Sequence, residues 1–149
     1  MNPGRPRLLL VDDDITRRLE LTGWLAARWD VRPATLDDDP VRLARQLRPD
    51  GALLAMDRKV SDRVLRVCRT LRTDVRAVPF VGLYEGGSRR RGAWIAMELW
   101  MASGYLGLPA DAAGLTGWVD AMARGERPTV QPERPEGALD RLRGMLRGR

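Results

Sequence analysis

Five short apolar runs, each followed by a segment of helical spacing, constrain this chain more than any other feature. "RLLLV" (7–11) is apolar without interruption and stops at "DDD", as a strand buried on both faces does on reaching solvent at its carboxyl end. "DVRPA" (30–34) is a weaker second strand, "GALLAM" (51–56) a third, "AVPFVGLY" (77–84) a fourth and "GYLGL" (104–108) a fifth. The first intervening segment, 15–28, carries Ile15, Leu19, Leu21, Trp24 and Leu25 at near-helical spacing among charges. In "LDDDPVRLARQLRP" the aspartates ahead of Pro40 mark a second helix start. Residues 61–73 put Val64, Val67, Cys68 and Leu71 on one side and Arg66, Arg69 and Arg72 on the other. "AWIAMELWMA" (93–102) and 111–124 are the fourth and fifth predicted helices. Such alternation calls for an α/β fold, a doubly wound parallel sheet with helices on both faces.

A chain of 149 residues with 44% hydrophobic content supports one buried core. The composition predicts a domain over 6–124, a proline-rich linker over 125–137, and a basic amphipathic tail segment over 138–149 with Leu139, Leu142, Met145 and Leu146 on one side. No stretch approaches the roughly 20 apolar residues of a membrane span, and "MNPGRPR" lacks a secretory signal's apolar run, so a cytoplasmic protein with no membrane partner is expected. Cys68 is the single cysteine and histidine is absent, which removes the commonest metal and triad chemistries and argues against an enzyme. The net charge of +6 is concentrated between 58 and 91, where ten basic residues face three acidic ones.

The order and spacing of "LLLVDDD", "RPDGALLA", Asp62, "VPFVGLY" and "SGYLGLPA" resemble the response-regulator receiver domains. The resemblance to this CheY-like family covers about residues 6 to 124. It implies a flavodoxin-like (βα)5 fold with sheet order 2-1-3-4-5. In that family an acidic pair after the first strand helps hold magnesium, and an aspartate ending the third strand accepts phosphate. A Thr or Ser after the fourth strand and a Lys before a proline bind the phosphoryl group. The resemblance places the acidic pair on Asp12 and Asp13, the acceptor on Ala55, the hydroxyl on Tyr84 and the lysine on Leu108, ahead of Pro109. A methyl group cannot be phosphorylated and leucine carries no charge. This degenerate pocket therefore predicts a pseudo-receiver, with weak magnesium binding at Asp12 and Asp13 as the one expected cofactor interaction. Asp57 has the strand parity of Ala55 but lies about 6.6 Å further along at ~3.3 Å per residue. It is the alternative acceptor, and otherwise a solvated loop residue.

The function expected is a protein–protein interaction and signalling module working through the fourth helix, fifth strand and fifth helix. The fourth helix shows an apolar arc wider than one buried face requires, with Trp94, Met97 and Met101 prominent. Tyr105 matches the family's aromatic switch position, and Trp118 adds to the same expected partner surface. Arg66, Arg69 and Arg72 form a basic face that suits an acidic protein partner, and a homodimer stays open. Direct nucleic-acid binding is disfavoured, because aromatic residues do not interleave with the arginines and 125–149 is too short for a helix-turn-helix. Three alternatives remain: a phosphorylatable receiver using Asp57, a small-molecule-sensing pocket at Asp12, Tyr84 and Leu108, and a basic nucleic-acid-binding regulator.

Overall fold

Side-chain alternation along β1 (Arg7–Val11) divides the core in two. Leu8 and Leu10 enter one layer with Leu21 and Leu25 of α1 (Ile15–Leu25) and Leu115, Trp118, Val119 and Met122 of α4 (Ala112–Ala123). Leu9 and Val11 enter the other, with Ala44 of α2 (Pro40–Leu47) and Val64, Cys68 and Leu71 of α3 (Ser61–Thr73). A computed structural model describes residues 4–57, 61–74, 78–86 and 101–130. Trp94 and Met97 of the fourth helix expected from sequence, and the tail beyond 130, lie outside the described residues.

The strands β2 (Asp30–Ala34), β3 (Gly51–Ala55), β4 (Val81–Gly86), β5 (Gly104–Leu108) and β6 (Thr129–Val130) complete a parallel sheet in the order β2-β1-β3-β4-β5-β6. The first five strands stand in the flavodoxin-like order. The sixth falls inside the segment expected to be a linker, which corrects that expectation for its first residues. Its physical basis is the open edge of β5. Tyr105 N donates to Pro128 O at 3.0 Å, and Trp118 Nε1 donates to the same oxygen at 3.3 Å. Gly104 permits this approach, since a Cβ there would stand 3.0 Å from Pro128 O.

A second correction concerns α1. Ile15 and Leu19, expected on its apolar face, are 62% and 67% exposed. The stripe that meets the sheet is Arg17, Leu21 and Leu25, at i, i+4 and i+8. Asp14 caps the helix by accepting from Arg17 N at 3.0 Å. α3 follows the expected pattern, except that Arg72 is half-buried and donates to the carbonyls of Val78, Pro79 and Met101. It ties α3 to the segments entering β4 and β5, and so leaves the basic face to the exposed Arg66 and Arg69.

The layer under α4 leaves no spare volume over the sheet. A Cβ on Gly82 would lie 2.6 Å from Trp118 Cη2 and 2.7 Å from Met122 Cε. Gly82→Ala should therefore lower stability by about 1–3 kcal/mol in urea unfolding through overpacking. Gly23→Ala, on the exposed side of α1 where an added methyl meets nothing, should instead gain about 1 kcal/mol from helix propensity.

Candidate functional site

Strand parity decides which residues meet at the carboxyl end of the sheet. Asp12 continues the side of Leu8 and Leu10, and Ala55 packs in that same layer with Tyr84, its register partner across β3 and β4. Asp57 shares the parity of Ala55. Arg17 reaches this point from the first turn of α1, because helical side chains lean toward the N-terminus. Asp13 has the opposite parity, and its Oδ1 accepts from Leu36 N at 2.8 Å. The acidic pair is thus divided between the two faces of the sheet.

Asp12 is 1% exposed, and its carboxylate is fully supplied with donors. Oδ1 accepts from Asp14 N and Arg17 Nη2, both at 2.9 Å. Oδ2 accepts from Arg17 Nε at 2.6 Å and from Tyr84 Oη at 2.7 Å. A carboxylate has about four lone-pair sites, and here all four are used. The two Arg17 bonds form a bidentate pair, the strongest geometry available between these groups. Arg17 Nη2 also lies 3.3 Å from both oxygens of Asp57, and the guanidinium carbon stands 5.6 Å from the Tyr84 ring centroid, within cation–π range. Donating to the Asp12 carboxylate holds the guanidinium still more firmly protonated than usual. Arg18 Nη1 completes the corner by donating to the Asp12 backbone carbonyl at 2.7 Å.

Asp57, whose side chain is 43% exposed, is therefore an ion-pair partner of Arg17 and not the solvated loop aspartate expected if it is no acceptor. Tyr84 is fully buried, and together with Arg17 it fills the space the sequence suggested as a small-molecule pocket. A cleft of about 290 Å³ remains outside this plug, between α1 and Leu108-Pro109-Ala110, with Trp24 and Glu20 on its helix side. Magnesium, which the resemblance to receiver domains leads one to expect, does not fit the residues present. Asp12 has no lone pair left, Asp13 serves the Leu36 amide, and among the described residues no three His, Cys, Asp or Glu side chains converge as metal ligands.

The expected partner surface divides. Met101 is 44% exposed, whereas Tyr105 at 3% and Trp118 at 2% are buried, so neither ring offers a docking face among the described residues. Trp118 covers Gly82 and Gly104, and the Tyr105 hydroxyl donates to Glu85 Oε1. Burial pushes the Glu85 carboxyl up, and the Tyr105 bond pulls it partly back. Sequence reasoning missed Arg17 altogether. The available signal was its place in the first turn behind an Asp14 cap, five residues after Asp12.

Burial first, and then the Asp12 charge, hold the Tyr84 hydroxyl well above its usual range. A raised folded-state value means that the stability contribution is intact below the unfolded tyrosine value of about 10 and is lost as pH rises from there through the higher folded-state value. Tyr84 should therefore ionise late, in step with alkaline unfolding, and Tyr84→Phe should remove its share of the late-titrating tyrosine signal. The same substitution leaves Asp12 one donor short and should cost about 1–3 kcal/mol in urea unfolding.

No protein-family model matches the chain, and no curated protein matches it. Solved structures do. The LuxR-family two-component response regulator from Aurantimonas sp. SI85-9A1 has a TM-score of 0.70 at 20% identity, over 96% of this chain and 99% of that one. The chemotaxis response regulator CheY4 of Vibrio cholerae has a TM-score of 0.68 at 17% identity, over 79% and 98%. The receiver domain of a modulated diguanylate cyclase from Desulfovibrio desulfuricans G20 has a TM-score of 0.65 at 19% identity, over 81% and 95%. What this chain shares with them is the receiver-domain fold, a parallel sheet whose first five strands run in the order β2-β1-β3-β4-β5.

Proposed function

We propose that the chain is a pseudo-receiver, a signalling module that acts through protein contacts and not through aspartyl phosphorylation. The observation that carries this reading is the closure of its acidic pocket by its own arginine. Phosphoryl transfer to a receiver aspartate needs a nucleophilic carboxylate, a cation to draw the phosphoryl oxygens in, and donors for the charge that develops. Here Ala55 stands at the acceptor position, 5% exposed and paired with Tyr84. Leu108 replaces the expected lysine. The remaining carboxylate of the right parity, Asp57, already faces the cation that also saturates Asp12.

Signalling by contact then falls to the surface around β5. Met101 and, on the adjoining β6, Val130 are its exposed large apolar residues among those described, and Trp94 and Met97 belong to it on the sequence pattern. The bond between Tyr105 and Glu85 supports a β5 held in one conformation, since the ring is anchored at its polar tip and buried at its body. Arg66 and Arg69 are exposed on α3 and suit a partner of acidic character.

Intact mass after incubation with acetyl phosphate and magnesium tests the reading. The wild-type chain should show no phosphoryl adduct, and neither should Ala55→Asp, because the new carboxylate would enter a corner where the Arg17 guanidinium is already committed to Asp12 and Asp57. An adduct on the wild type that disappears in Asp57→Asn would replace this reading with that of a working switch. Ready labelling of Ala55→Asp would show that the pocket is closed by the missing acceptor alone.

A further inference from the structure

We infer that Arg17 is a tethered cation standing in for the divalent ion of the acidic corner, and that its removal would turn Asp12 and Asp57 into a divalent-cation site. The inference deepens the proposed function and rests on the same reading of the pocket.

The geometry carries it in three steps. First, the charge that makes Asp12 tolerable in the core comes from Arg17. A carboxylate this buried needs a counter-charge, and the guanidinium meets it through two bonds at 2.6 and 2.9 Å. Second, one guanidinium nitrogen serves both carboxylates. Arg17 Nη2 lies 2.9 Å from Asp12 Oδ1 and 3.3 Å from each oxygen of Asp57. A positive centre shared between an aspartate after β1 and one after β3 is the placement a bridging cation would take, here supplied covalently. Third, the substitution is complete at Asp12, because Asp14 N and Tyr84 Oη take the two lone-pair directions that Arg17 leaves. Hard divalent ions bind through carboxylate oxygens and water, so deleting the guanidinium frees one direction on each Asp12 oxygen and releases Asp57.

Mn²⁺ is the probe, read by electron paramagnetic resonance of the free ion and by thermal unfolding in metal-free buffer. The wild-type chain should neither deplete free Mn²⁺ through Asp12 nor shift its melting temperature with it. Arg17→Gln should melt roughly 10 °C lower in metal-free buffer, as loss of one partner from a buried pair predicts for a chain of this size. It should recover several degrees as Mn²⁺ is added, through binding to the folded state. The recovery should vanish in Arg17→Gln/Asp12→Asn, while that double variant should itself melt above Arg17→Gln in metal-free buffer, because no uncompensated charge is left.

Wild-type binding that is lost in Asp12→Asn would overturn the inference, and so would a folded Arg17→Gln that ignores Mn²⁺. Should Arg17→Gln fail to fold at all, folding of the double variant would support the charge-compensation role, and failure of both would overturn it. The two proposals fail separately. A phosphoryl adduct on a wild-type chain that binds no Mn²⁺ at Asp12 removes the functional reading alone. Wild-type Mn²⁺ binding without an adduct removes the tethered cation alone.

Discussion

A carboxylate leaves water only where donors replace that water, and Asp12 sits almost wholly inside the protein just past the end of β1. Its four donors come from the turn after β1, from α1 and from β4, so this one group ties three parts of the fold together. Arg17 supplies two of the four and fixes how α1 lies on the sheet. A helix that must place residue 17 in the corner places Leu21 and Leu25 beneath it in the core, and turns Ile15 and Leu19 outward. Tyr84 is held in the same way from β4, with its hydroxyl on Asp12 and its ring beside the guanidinium. Taking such a pair out of water is costly, so its presence is weak evidence for added stability. Its consequence is specificity, because any other rotation of α1 strands a buried charge.

Most of the sheet was legible because strand and helix signals are local. β1, β2 and β5 stand where their apolar runs place them, and α3 spans the residues its periodicity marks. The errors have one character in common, since each arises where a polar group does what an apolar one usually does. In α1 the inward stripe begins with an arginine, and hydropathy assigns arginine to solvent. In α3, Arg72 was counted on a charged face but serves three backbone carbonyls. The sixth strand escaped notice because "RPTV" reads as linker by its proline. What orders it is a carbonyl, Pro128 O, meeting an edge amide and an indole N–H far away in sequence.

The site was half legible. Absence of an acceptor, a hydroxyl and a lysine could be read by counting along strands, since those are statements about identity at a position. The pairing of Asp12 and Asp13 could not, although parity held the clue. Consecutive residues leaving a strand diverge to opposite faces, and Asp13 ends on the amide of Leu36 while Asp12 turns to α1. Asp57 shows the converse case. Rise per residue put it too far along to join a pocket built around Ala55, yet an arginine side chain is long enough to span the gap, so reach from the partner decided what reach from the strand could not.

On the proposed reading, the tethered cation also changes which variables can carry a signal. A receiver that recruits a free ion has an occupancy that follows ion concentration, and a second occupancy that follows phosphoryl transfer. A guanidinium anchored on α1 has an effective concentration set by covalent connection and independent of the medium. Neither occupancy then remains as an input. The states left to this fold are those a partner can select by contact, and such a partner moves the equilibrium only by as much as it binds one arrangement better than another. β5 is well placed for that selection, bounded by the Tyr105–Glu85 bond on one side and the β6 edge on the other. Displacing either exposes buried groups to water, so a partner must return that loss through its own contacts. The exposed Met101 is suited to do so, because burying it is favourable without any demand on the geometry of a hydrogen bond.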